Sequence, residues 1–232
     1  MNGTSKWIDI AADDGNFGAY LALPRSGSGP GIVLIQEIFG VNAHIRSVAD
    51  QYAADGYVVL APDLFWRSGA RIELGYEKED WDRAVALKQA NGPDKARADL
   101  AHAAKALRAL PGVSGQIASI GYCYGGLLSY FMAADGLVDT AIAYYGGGIQ
   151  NALDCADRIK VPLLMHFGGK DQHITADMVS AIAQRFEDNE QAEIHVYPQA
   201  DHGFNCSHRA AYNQRAAAEA HGHSLVFLSE TL

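Results

Sequence analysis

Apolar positions along the chain fall into two alternating patterns: short continuous runs, and longer segments in which they recur every three to four residues. Trp7 to Ile10 and Gly18 to Leu23 flank the turn-prone Asp13-Asp14-Gly15-Asn16 and predict an opening hairpin. The run GIVLIQ, Gly31 to Gln36, has the β-branched character of a strand buried on both faces. Helical spacing then covers Asn42 to Asp55, with Gly56 as a stop, and YVVLAPDLF supplies a strand ending at Pro62-Asp63. Two helices are predicted at Glu77 to Ala90 and Asp94 to Leu110, separated by Asn91-Gly92-Pro93. Further strands are predicted at Gln116 to Gly121, Thr140 to Tyr145, Pro162 to Phe167 and Ala192 to Val196. Further helices are predicted at Gly125 to Ala134, Ala176 to Asp188 and His208 to Phe227.

Strands alternating with helices imply βαβ units, hence an α/β protein with a mostly parallel central sheet and helices on both faces. The sequence shows no repeat or linker, so its 232 residues are expected to form a single α/β domain. With 19% charged residues and a net charge of −9, the balance argues against nucleic acid or an anionic membrane as partner. The first residues, MNGTSKWIDIAADDG, lack the apolar core of a secretory signal, and no segment approaches a membrane span, which makes the cytoplasm the expected compartment. Cys123, Cys155 and Cys206 form no CxxC pair and are expected as free thiols. Monomer and small homo-oligomer are both compatible with this composition.

In open parallel sheets, ligands bind beyond the carboxyl ends of the strands. Polar residues just after predicted strands are Glu37, Cys123, Asp171 and His202. Cys123 stands out, because GYCYGG fits G-x-C-x-G, with Gly121 and Gly125 flanking the thiol as small residues flank a nucleophile on a strained strand-to-helix turn. A thiol there projects at a helix N-terminus, where unpaired N–H groups favour a thiolate and a neighbouring oxyanion. Packing as a small buried hydrophobe is the competing fate of a free cysteine and the one expected for Cys155 and Cys206.

The order Cys123, Asp171, His202 is the α/β-hydrolase order of nucleophile, acid and histidine. His202 would take the thiol proton and later activate water, with Asp171 fixing its tautomer and Asp201 in reserve as the acid. His166, His173 and Asp171 crowd one strand end, but H-x6-H matches no compact zinc signature, so no metal is expected. His208, His221 and His223 are read as exposed or packing residues of the last helix. Gly146-Gly147-Gly148 lacks a phosphate-binding context and is read as a loop shaped around a pocket.

The motifs QEIFGVN (Gln36 to Asn42), APDLF (Ala61 to Phe65), GYCYGG, YYGGG (Tyr144 to Gly148), GGKDQH and DHGF together resemble, in order and over nearly the whole chain, the dienelactone hydrolase family. The resemblance implies an α/β-hydrolase fold with Cys123, Asp171 and His202 as catalytic residues. It also implies Glu37 as an active-site acid that switches the cysteine between thiol and thiolate, and the N–H groups of Ile38 and Tyr124 as an oxyanion hole. Members that open dienelactone grip its carboxylate with arginines. Here Cys206 stands where one would be sought, Trp81 stands near the other with Arg83 two places later, and Arg209 and Arg83 are the substitutes at hand. Phe39, Trp81, Arg83, Tyr145 and Phe204 are the expected substrate-binding residues. The expected activity is hydrolysis of a small ester or lactone through an acyl-thioester, without cofactor. A general carboxylesterase or thioesterase, and a non-catalytic thiol sensor on the same scaffold, are the alternatives.

Overall fold

The computed structural model describes residues 4–232; residues 1–3, where the segment read as lacking a secretory signal begins, lie outside them. The chain divides into two compact units, one ending at Ala118 and the other running from Ser119 to Leu232.

In the first unit, β1 (Thr4–Ala12) and β2 (Gly15–Leu23) form the expected hairpin, with Ile10 opposite Phe17. β2 pairs antiparallel with β4 (Val58–Pro62), and β4 pairs parallel with β3 (Gly29–Ile35), giving the order β1-β2-β4-β3. Every residue of β4, and Gly31 to Ile35 of β3, is buried, which is why these segments read as unbroken apolar runs rather than alternating ones. Helix α1 (Ala43–Ala54) starts at Asn42, whose side chain accepts the Ile45 N–H, a cap contributing about 1 kcal/mol. It packs on β2 and β4. Helix α2 (Lys78–Arg108) breaks at Gly92 (φ 59°, ψ 163°), immediately before Pro93, where two helices with punctuation between them were expected.

A polar knot ties the loop after β4 to α2. Arg67 grips Asp99 with both terminal nitrogens, at 2.7 and 3.0 Å, and Trp66 Nε1–H donates to the same carboxylate at 2.9 Å. Asp63 accepts the N–H groups of Phe65 and Arg71, and burial pushes its carboxyl upward against the pull of those two donors.

Strand β5 (Val113–Tyr122) begins in the first unit and ends in the second. Within the second unit the order is β5, β6 (Thr140–Tyr144), β7 (Leu163–Gly168), β8 (Ala192–Tyr197), with β6, β7 and β8 mutually parallel. The helices are α3 (Tyr124–Ala134), α4 (Ala176–Arg185) and α5 (Gln214–Thr231). The last helix was expected from His208 and begins six residues later. Residues 203–213 instead follow successive turns, with Cys206 N–H on Gly203 O, Arg209 N–H on Cys206 O and Tyr212 N–H on Arg209 O. Asn213 then caps the helix by accepting the Ala216 N–H, so His208 lies in the turns and only His221 and His223 are helical. The Asn213 cap, rather than the spacing of apolar residues, sets where α5 begins. Two short 3₁₀ turns, Ile149–Asn151 and Leu153–Arg158, lie between β6 and β7, a segment to which the apolar pattern assigns no element. Among the described residues no helix is long and apolar enough to cross a membrane.

Candidate active site

The sharpest local feature lies where β5 meets α3. Cys123 occupies the single residue between them at φ 54° and ψ −114°, a conformation costing a non-glycine residue about 1–3 kcal/mol. The surroundings impose it. The Cys123 N–H donates to the Tyr144 carbonyl of β6 at 3.0 Å, and the Cys123 carbonyl accepts the Gly126 N–H at 3.0 Å. A side chain at Gly121 would run into the Gly125 carbonyl, and one at Gly126 would come within 2.7 Å of the Tyr144 carbonyl. The glycines are therefore what lets strand, helix and β6 close around the turn. Tyr124 opens α3, so its N–H lies in the first turn, at the positive end of that helix.

Two loops carry polar side chains to this thiol. After β7, Asp171 places Oδ1 to accept the N–H groups of His173 (2.7 Å) and Ile174 (3.0 Å), leaving Oδ2 at 2.7 Å from His202 Nδ1. After β8, His202 sits at the start of the turns and presents Nε2 to Cys123 Sγ at 3.1 Å. Asp171 and His202 are buried, whereas Cys123 keeps partial exposure. The reserve acid, Asp201, is exposed and accepts the backbone N–H of His202, so it is a local brace rather than a partner of the ring.

Electrostatics bind the three together. Burial opposes a charge on His202, but the hydrogen bonds to Asp171 and Cys123 and the charges of both groups outweigh it, pushing the imidazole up to about 10. Burial likewise opposes a charge on Asp171, and the His202 hydrogen bond and charge, with the two loop N–H donors, hold the carboxyl below its ordinary range. The arrangement places a proton-retaining imidazole between the Cys123 sulfur and the Asp171 carboxylate.

Rings pack around the imidazole. Tyr145, fully buried and itself strained at φ 36°, lies edge-on to His202 with centroids 5.2 Å apart, and rests on the equally buried Phe204. His173 meets His202 from an exposed position, centroids 5.1 Å apart at 71°. The Arg209 guanidinium occupies the space a side chain at Gly203 would need. His166, near Asp171 in sequence, points elsewhere: Nε2 lies 3.1 Å from Ser224 Oγ, which also contacts the Tyr144 hydroxyl, and Nδ1 lies 3.0 Å from the Tyr197 hydroxyl. That hydroxyl also reaches His223 Nδ1, on which His195 stacks at 4.1 Å. This polar chain joins β6, β7 and β8 to α5. Cys206 is buried as expected. Cys155 is not: it is half-buried and accepts a hydrogen bond from Arg158, because a short 3₁₀ turn holds it near the surface.

The remaining predicted residues belong to the first unit. Glu37 and Ile38 follow β3 and are buried, and Gln36 braces that corner by accepting the Leu64 N–H. Phe39 is buried between Tyr76 and Trp81, at centroid distances of 4.7 and 5.1 Å. Trp81 is half-buried near the start of α2, and Arg83 is exposed.

Parallel strands, a strained thiol-bearing turn, and an acid and a histidine on successive later loops are the architecture of an α/β hydrolase. A solved structure from Klebsiella pneumoniae superimposes with a TM-score of 0.86 at 29% identity, covering 99% of both chains. Residues 17–232 match the dienelactone hydrolase family, and the chain belongs to it. Among its relatives are the carboxymethylenebutenolidase of a Pseudomonas species, 37% identical over 94% of this chain and 92% of that one, and carboxymethylenebutenolidase 1 of Cupriavidus pinatubonensis, 34% identical over 93% and 92%.

Proposed function

We propose that this protein hydrolyses a small ester or lactone, with Cys123 as nucleophile, His202 as general acid and base, and Asp171 orienting the imidazole. The observation that carries the reading is the unbroken contact from Asp171 Oδ2 through His202 to Cys123 Sγ, at 2.7 and 3.1 Å. The thiolate attacks the carbonyl carbon, and the oxyanion forms beside the Tyr124 N–H at the positive end of α3. The carbon–oxygen bond to the leaving alkoxide breaks, the alkoxide takes the proton from His202, and a thioester remains on Cys123. Water then adds to the thioester, giving its proton to His202. The carbon–sulfur bond breaks, releasing the acid and regenerating the thiolate–imidazolium pair.

The elevated affinity of His202 for its proton fits this cycle. Two of the influences that raise it come from Cys123, the hydrogen bond to sulfur and the thiolate charge. Acylation removes both, so the imidazole sheds its proton as the cycle calls for a base. The family resemblance adds the Ile38 N–H to the oxyanion hole and Glu37 to control of the thiol. Phe39, Trp81, Arg83, Tyr145 and Phe204 are retained as its substrate-binding residues.

The test is alkylation of Cys123 followed by assay with an activated aryl ester, a lactone and an acyl-thioester. Loss of turnover in step with modification supports the mechanism, and the substrate ranking separates lactonase from general esterase or thioesterase. Full activity after confirmed modification removes Cys123 from the chemistry.

A further inference from the structure

The cycle asks two different things of His202. Before acylation its ring is held at both nitrogens, by Asp171 at Nδ1 and by the sulfur at Nε2. Once Cys123 carries an acyl group, the sulfur no longer bonds to Nε2, and only the Asp171 contact remains. A single hydrogen bond fixes one atom and leaves the ring free to tilt about it. Packing has to hold the ring plane at the stage when Nε2 must meet a water molecule.

Two rings are in position to do so. Tyr145 belongs to the buried interior, and its place is set by the backbone after β6. His173 comes from the exposed side, edge-on at 5.1 Å, on the same loop as Asp171. Its backbone N–H donates to Asp171 Oδ1 at 2.7 Å, so the residue is fixed at its main chain independently of its ring. An exposed aromatic side chain anchored in this way has nothing to gain from burial in a core, and its ring rests on the imidazole alone among the described ring contacts.

We propose that His173 is a positioning residue for His202 in the acyl-enzyme: its ring keeps the imidazole plane aligned for water activation after the sulfur contact has been lost. The inference rests on the reading of Cys123 and His202 given above. It is a claim about ring contact and not about charge, since the edge-to-face geometry is equally available to a phenyl ring.

The experiment is pre-steady-state hydrolysis of an activated aryl ester by wild type, His173→Ala, His173→Phe and Cys123→Ala. All keep the backbone N–H at position 173, and the side chain is exposed, so folding is preserved. In H173A, acylation, read from the burst rate, stays near wild type. Deacylation, read from the steady state, slows roughly 3- to 10-fold, the factor an aromatic pair is worth, and acyl-enzyme accumulates. H173F restores deacylation. Equal slowing of both steps, no change in either, a rise in KM alone, or failure of H173F to rescue overturns the proposal. A full burst from C123A overturns instead the mechanism beneath it, which makes the two failures distinguishable.

Discussion

Asp171 and His202 meet at 2.7 Å, and the other oxygen of the same carboxylate is saturated by two backbone N–H groups of its own loop. The acid therefore cannot swing away from the imidazole without breaking its turn. On the proposed mechanism, Asp171→Asn keeps this geometry but removes the charge and the tautomer control. Turnover of an activated ester is expected to drop about 10³- to 10⁴-fold. Asp201→Asn, which alters only the acceptor of a backbone N–H, is expected to leave turnover close to wild type. Steady-state kinetics on the two variants decide whether the acid is Asp171 or its neighbour.

Two buried histidines of the second unit bend stability in opposite directions with pH. His202 binds its proton more tightly folded than unfolded, so its contribution is complete below pH 6.5 and fades as pH rises towards about 10. His166 is held well below 6.5, first by burial and then by the charges of His195 and His223, so it favours the folded state above pH 6.5 and loses that contribution as pH falls. Glu193 and Glu219, which act on His223 in the opposite sense to His195, set the charge around the rim of this cluster. Urea midpoints measured from pH 5 to pH 10 should trace a dome. His166→Asn should flatten its acid side and His202→Gln its alkaline side; variants that both keep the wild-type slopes would show that neither histidine governs them.

Much of this was legible in the sequence because the physics is local. Continuous apolar runs located the buried strands β3, β4, β6 and β7, and Gly121, Cys123 and Gly125 located the elbow, since only small neighbours allow such a turn. Asp171 and His202 were found because they follow strands in the required order, although Cys123 and His202 stand 79 residues apart. What escaped depends on contacts that no window contains. The true start of α5 is decided by an Asn213 cap following hydrogen-bonded turns, not by periodicity. His166 and His173 looked like one polar cluster, yet a strand sends alternate side chains to opposite faces and a loop does not. One therefore joins Ser224 and Tyr197, and the other lies on His202.

Gly121 is the residue whose replacement tests the elbow most directly. It has an ordinary backbone conformation, so no left-handed strain is at stake, but a methyl group there strikes the Gly125 carbonyl. Neither partner is a movable side chain. Gly121→Ala should therefore displace the start of α3, costing about 3 kcal/mol and removing ester turnover along with thiol reactivity. Gly147→Ala, where the space is open, is the matched control and should behave as wild type in denaturation and assay.

In the first unit the corresponding weak point is Arg67. Its fork on Asp99 is accompanied by the Trp66 indole N–H, and the Asp99 side chain is 1% exposed against 19% for Arg67. Removing the arginine leaves a buried carboxylate with one neutral donor, an arrangement that costs roughly 3–5 kcal/mol because the charge has neither water nor a counter-ion. Arg67→Lys keeps a charge but not the two parallel bonds, and should fall between wild type and Arg67→Ala. The outer contact, to Asp14, lies in solvent and contributes little, so Asp14→Asn should be nearly silent. The decisive comparison is the double variant Arg67→Ala with Asp99→Asn. If the cost comes from the stranded charge rather than from lost packing of the guanidinium on Trp66, neutralising Asp99 should recover much of it in chemical denaturation. An additive double variant would instead assign the loss to the Arg67–Trp66 stacking, at 4.3 Å.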